Sequence, residues 1–376
     1  MPAPDATNAP DDATAPSVTE LLEDHGLLLA ALETPAFWNR ELRRRGDDPH
    51  VVGVRTRAVG TGQVASCHRV VFDLDGGDGE GFPSSVVVKT GSEDPTSRLT
   101  SATLRHPETE VGFYSRMAPT CTARVPRCHL AALNANGDDF LLVLEDLTGA
   151  TQGDQVHGME PDHVGAALDE LADLHATWWE GPPGGTEEFL TDRGDPNAHA
   201  VLLAMLYEGF AERYASVLDA EVLSAAERLV GLASRYLVER PGPTSVTHGD
   251  FRPDNLLLPD ADGSDRVAVV DWQTVSVGPA LADVSYFMGG AMPPELRRRH
   301  EAELLGRYGS RLRSRGIGVT DDEITSGYRR YALDGLVMAI GASQVVGRTE
   351  RGDEMFCAMA TRSAHHALEA GSFELI

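Results

Sequence analysis

Residues 248–272 read H-G-D-F-R-P-D-N-L-L-L-P-D-A-D-G-S-D-R-V-A-V-V-D-W. Two short apolar runs, 256–258 and 267–270, flank a polar segment of turn-forming residues, the pattern of an antiparallel hairpin. In a hairpin, the residue before the first strand and the residue after the second lie at the same end. The pattern therefore brings Asn255 together with Asp271, with Asp250 in the loop just ahead of them. Two carboxylates and an amide oxygen are hard ligands of the kind Mg²⁺ takes. The plainer alternative is a solvated turn with a structural aspartate.

Phosphoryl transfer asks for such a set, because the protein's work there is positioning and charge neutralisation more than covalent chemistry. On this reading Asn255 and Asp271 hold the metal and Asp250 accepts the proton of an attacking hydroxyl. Arg252, two residues after the base, is placed to meet the transferring phosphate.

A nucleotide site also needs a backbone cover over the phosphates, a lysine to pair with them and an acid to hold the lysine. Upstream, residues 51–59, 68–74 and 85–90 have the β-branched content of three consecutive strands, and Gly60 and Gly62 sit in the turn between the first two. Lys89 ends the third strand. It is the only lysine in the chain; every other one of the 32 basic residues is arginine. A position that keeps a compact ammonium amid so much guanidinium is a candidate for chemistry that arginine cannot mimic. Glu110, in a helix expected over 107–117, is its candidate partner, with Glu108 the alternative. The stretch 60–65 also fits G-x-G-x-x-A, which opens an NAD-linked oxidoreductase reading. That reading requires a helix after the glycines, where Val70, Val71 and Phe72 indicate a strand.

A leading helix is expected over 17–32 behind a Ser17-x-x-Glu20 capping pattern, and two further strands flank an Asn-Gly-Asp turn at 136–138. Beyond Leu147 the apolar spacing turns helical, with Val164, Leu168, Leu171, His175 and Trp178 on one face. The expectation is an α+β chain: a disordered tail over 1–16, a small β-rich nucleotide-binding lobe over 17–147 and a larger, mainly helical lobe over 148–376 that carries the catalytic loop and the acceptor pocket. Trp178, Trp179, Phe210 and Tyr214 either line that pocket or fill the core.

Composition narrows the partners. A formal net charge of -26 repels nucleic acid and anionic membranes, and a solvated acidic shell accounts for it without naming a substrate. No apolar run is long enough to span a bilayer. Cys67, Cys121, Cys128 and Cys357 form no metal-binding or disulfide spacing, so reduced thiols and a cytoplasmic setting are expected.

H-G-D-F-R-P-D-N with V-V-D-W-Q, preceded by V-V-V-K-T (86–90) and L-L-V-L-E-D-L (141–147), resembles the aminoglycoside phosphotransferase and choline kinase-like superfamily across residues 50–345. G-T-G-Q (60–63), L-H-A-T-W-W (174–179) and Asp283 in A-L-A-D are most similar to the bacterial ecdysteroid-kinase-like members. The resemblance implies a protein-kinase-like two-lobed fold and ATP and Mg²⁺ as cofactors. It implies a small hydroxylated acceptor, with choline-like, sterol-like, sugar and antibiotic alcohols all open. It makes the Glu145 carbonyl and the Leu147 amide the adenine contacts, and His248 and Asp283 structural supports of the catalytic loop. A nucleotide-binding pseudokinase that acts as a scaffold is the alternative of a different class; the presence of Lys89, Glu110, Asp250, Asn255 and Asp271 weighs against it.

Overall fold

Ser17 accepts the Glu20 N–H while Glu20 reaches back to the Ser17 N–H, so the chain enters its first helix through a reciprocal cap. The computed structural model describes residues 16–43, 50–60, 65–75, 83–179, 181–191, 194–259 and 266–376. The tail expected over 1–16 lies, but for its last residue, outside the described residues. Two compact units emerge, one of Met1–Pro107 with Cys128–Asp146 and one of Glu108–Arg127 with Leu147–Ile376. The segment Glu108–Arg127, expected within the first lobe, thus packs with the helical unit.

In the first unit the expected leading helix is two helices, α1 (Val18–Leu21) and α2 (His25–Leu32). Asp24 breaks it: its carboxylate accepts the Gly26 and Leu27 N–H groups and caps a new helix, a role Asp fills better at an N-terminus than inside a turn. A further helix, α3 (Pro35–Arg43), precedes β1 (His50–Ala58), β2 (Ala65–Asp75), β3 (Ser85–Gly91), α4 (Pro95–Thr103), β4 (Cys128–Leu133) and β5 (Phe140–Glu145). The five strands form one antiparallel sheet in the order β1-β2-β3-β5-β4. Leu21, Leu28, Leu32, Phe37 and Trp38 pack with Val51, Val70, Phe72, Val86 and Val88 into a core on one sheet face. Since side chains alternate along a strand, Lys89 points to the opposite face from Val86 and Val88.

The second unit begins within α5 (His106–Gly112), which passes directly into a single π-helical turn, Phe113–Met117. There follow β6 (Thr151–Gln152), α6 (Pro161–Thr177), α7 (Pro196–Tyr214), α8 (Ala220–Val238), β7 (Thr244–Thr247), β8 (Leu256–Leu258), β9 (Ala268–Val269) and β10 (Ser276–Pro279). The chain then finishes in α9 (Ala280–Ala291), α10 (Pro294–Ser314), α11 (Asp321–Arg330), α12 (Asp334–Val345) and α13 (Glu350–Ala370). Phe210, Tyr214, Tyr236, Leu336, Ile340 and Phe356 share one core of α7, α8, α12 and α13. Phe210 and Tyr214 are therefore core residues, and Trp178 is buried as well. His175 is wholly buried, with Nδ1 2.8 Å from the Tyr308 hydroxyl.

Candidate active site

Strand β7 pairs antiparallel with β10, and the loop 248–255 leaves the end of β7. Its first two backbone N–H groups are taken by one carboxylate: Asp283, in the first turn of α9, accepts from His248 at 2.7 Å and from Gly249 at 3.1 Å. Burial would raise the Asp283 carboxyl, but the neighbouring His175 and His248 and the His248 backbone N–H hold it below the usual carboxylate range. The buried His248 ring faces the backbone at both ends. Its Nδ1 accepts the Asp250 N–H at 3.3 Å, so Nε2 carries the proton and donates to the Val270 carbonyl at 3.1 Å. Gly249 has φ +82°, and a Cβ there would stand 2.6 Å from the Thr274 carbonyl oxygen. Only glycine fits.

Asp250 is oriented by three donors. Tyr286 Oη donates to Oδ1 at 2.7 Å, while Arg252 Nε and Asn255 Nδ2 both donate to Oδ2 at 3.1 Å. With two lone pairs on each carboxylate oxygen, Oδ2 is filled and Oδ1 keeps one open acceptor position. Asn255 Nδ2 also donates to the Asp250 carbonyl at 2.9 Å, which leaves the amide oxygen as the end turned elsewhere. Arg252 was expected to face a phosphate. Its guanidinium donates to Asp250 through Nε and to Asp254 through Nη1 at 2.8 Å. Burial would lower its pKa, and the charges of Asp250 and Asp254 push it up instead, so it stays cationic.

The two apolar runs pair antiparallel, with Leu256 opposite Val269 and Leu257 opposite Ala268. The Val270 N–H donates to the Asn255 carbonyl at 3.0 Å, bringing Asn255 and the residues leaving β9 to one end. Asp271 turns there through a left-handed backbone, φ +68°. For a non-glycine residue that conformation is costly and is kept where surrounding structure enforces it. The enforcement is visible one residue on. The Trp272 N–H donates to Glu110 Oε1 at 3.3 Å, and the Trp272 ring stacks on Phe113 with centroids 3.8 Å apart. Glu110, nearly inaccessible at 1% exposure, thus lies in the same unit as the loop 248–255.

In the first unit Lys89 is buried, opposite Cys67 on β2 and Leu142 on β5. Gly60 turns with φ +79°, and Gly62 lies outside the described residues. Glu145 ends β5 opposite Val86, and Leu147 follows it half-buried. Between them Asp146 accepts from Ser85 Oγ at 2.6 Å and pairs with Arg69 Nε at 2.8 Å. Sequence reading missed Asp146, Asp254 and Tyr286. Tyr286 has a signal in retrospect, since three residues past Asp283 on one helix puts both side chains on the same face. Among the described residues no cluster of three His, Cys, Asp or Glu forms a further metal site.

No curated protein matches the sequence. Solved structures do. A microcompartment-associated aminopropanol kinase is 16% identical, with 86% of this chain and 95% of that one covered and a TM-score of 0.51. A choline kinase from Cryptosporidium parvum Iowa II is 10% identical over 85% and 89% of the two chains, with a TM-score of 0.53. A GDP complex of an aminoglycoside 2'-phosphotransferase variant is 12% identical over 90% and 100%, with a TM-score of 0.50. At such identities the likeness establishes the kinase-like α+β fold. The family model of the phosphotransferase enzymes matches residues 84–317, well over half of the chain and all of the loop, hairpin and Asp283 support described above. This chain belongs to the phosphotransferase enzyme family, which makes it a small-molecule kinase.

Proposed function

We propose that this enzyme transfers the γ-phosphate of ATP, bound with Mg²⁺, to a hydroxyl of a small-molecule acceptor. The observation that carries the reading is Asp250: a carboxylate held by three donors with one acceptor position open on Oδ1, beside the hairpin end that gathers Asn255 and Asp271. The donor set fits magnesium. Asn255 spends its NH₂ on Asp250 and so keeps its oxygen for a cation, and Asp271 is fixed in an unusual backbone turn. Bound there, the ion would neutralise charge on the phosphate oxygens.

Asp250 Oδ1 takes the proton of the acceptor hydroxyl as its oxygen bonds to the γ-phosphorus. The bond from that phosphorus to the bridging oxygen breaks, and its electron pair leaves with ADP. Lys89 meets the nucleotide phosphates as a point charge, and the backbone at Gly60 covers them. The Glu145 carbonyl and the Leu147 N–H take the adenine edge. His248, Gly249 and Asp283 hold the loop, and Arg252 keeps Asp250 aligned. A solved neighbour with bound GDP is in keeping with a nucleotide donor.

The test incubates the purified chain with Mg-ATP and a panel of alcohols, amino alcohols, sterols, sugars and aminoglycosides, with Asp250→Ala as control. A phosphorylated product formed by the native chain and absent with the variant is expected. A chain that binds Mg-ATP and phosphorylates nothing in the panel would favour the pseudokinase alternative.

A further inference from the structure

One carboxylate of the catalytic loop has no part in the chemistry above. Asp254 is 4% exposed, stands next to Asn255, and has all its acceptor positions filled. Its Oδ2 accepts from Arg252 Nη1 at 2.8 Å and from Arg351 Nη1 at 3.2 Å; its Oδ1 accepts from the Gln155 N–H at 2.8 Å and from Arg351 Nη2 at 3.2 Å. Its carbonyl takes Gln152 Nε2 at 2.6 Å. Nothing is left on this side chain for a metal or a substrate.

The contacts of Asp254 run in a line. Arg351, the second residue of α13, grips Asp254; Asp254 grips Arg252; Arg252 Nε grips Asp250 Oδ2 at 3.1 Å. The origin of that line is fixed, since Thr349 caps α13 by accepting the Gly352 N–H at 3.0 Å. Further along α13, Arg362 donates to the carbonyls of Gln155 and Val156, both at 2.7 Å, so the helix holds the segment that wraps Asp254 at a second place. A two-pronged guanidinium fixes the angle of a carboxylate as well as its place. Without Arg351, Arg252 is the sole cation on a buried Asp254 and is drawn onto it, away from Asp250.

We infer that Arg351 is a positioning residue: the last long helix sets the aim of the base through Asp254 and Arg252, and so governs the rate of phosphoryl transfer without governing nucleotide affinity. This rests on Asp250 as the base.

The test needs no acceptor, because water can serve. ATP hydrolysis is measured for the native chain, Arg351→Gln, Arg351→Lys, Asp250→Ala and Arg348→Gln, with melting temperatures and calorimetric Mg-ATP affinities. Arg348 is a control at the same helix start, mostly exposed and paired with Asp353. Arg351→Gln is expected to lower kcat about 10- to 100-fold. KM and affinity for Mg-ATP should stay within about twofold. Arg351→Lys should recover part of the loss, and Arg348→Gln should match the native chain. An unchanged kcat in Arg351→Gln overturns the proposal and leaves the kinase reading standing, as does a fall that Arg348→Gln reproduces with an equal drop in melting temperature. A native chain that binds no Mg-ATP, with Asp250→Ala indistinguishable from it, sinks the kinase reading and this inference with it.

Discussion

The Tyr286 hydroxyl lies 2.7 Å from Asp250 Oδ1 and donates to it. Burial pushes the Tyr286 phenol well above its ordinary pKa, and the Asp250 charge adds to that, so the hydroxyl stays protonated and can only donate through its hydrogen. Removing it in Tyr286→Phe leaves Oδ1 with both acceptor positions open and the carboxylate free to turn. A fall in kcat of about tenfold or more, with little change in KM for Mg-ATP, is expected in steady-state assays.

Lys89→Arg tests the ammonium. A planar fork cannot reproduce a point contact with phosphate oxygens, and the site is buried on β3. Turnover should fall by on the order of 10²-fold with the melting temperature little changed. Near-normal turnover would show the lysine to be incidental.

Gly249→Ala places a Cβ 2.6 Å from the Thr274 carbonyl oxygen in a backbone turn of φ +82°. The expected cost is about 1–3 kcal/mol in urea unfolding, with activity lost beyond what unfolding explains, because the next residue is Asp250.

Asp283→Ala strips the acceptor from two buried backbone N–H groups and leaves His175 without the carboxylate 3.5 Å from its Nε2. The loss should be about 3 kcal/mol or more, which calorimetry would resolve.

Stability should respond to acid in two stages. His366 is fully buried, neither ring nitrogen has a hydrogen-bond partner among the described residues, and burial, reinforced by Arg297, holds its pKa well below the usual value. The unfolded chain takes a proton at this residue near pH 6.5 while the folded chain does not, so stability falls as pH drops below about 6.5, by up to about 1.4 kcal/mol per pH unit. His366→Leu should remove that slope in paired unfolding curves. The carboxylates of Asp283 and Asp254, held low in the fold, act later. Their contribution is complete above about pH 4 and is lost as pH falls through their depressed folded values.

The hairpin was legible because its register follows from two apolar runs, and register alone gathers Asn255 and the turn at Asp271. Lys89 stands out in the sequence as a lone exception in composition. The partners that the structure gives Arg252, Asp250 and Asp254, are chosen by packing and not by spacing. The split of the leading helix at Asp24 was readable in principle from capping chemistry, but a continuous apolar face masked it. Arg351 and Tyr286 meet the loop, and Glu110 meets Trp272, from helices tens of residues away in sequence, where no local period carries information. The left-handed turn at Asp271 likewise sits beside contacts from outside, those of Glu110 and Phe113 on Trp272.

A chain with one lysine has one side-chain amine. Grown with isotope-labelled lysine, it would give a single Nζ resonance that needs no assignment and would test directly whether nucleotide arrives at β3. Amine-reactive acyl phosphates of nucleotides would likewise mark one side chain. The same economy that singles out Lys89 in the sequence thus equips the enzyme with its own spectroscopic probe.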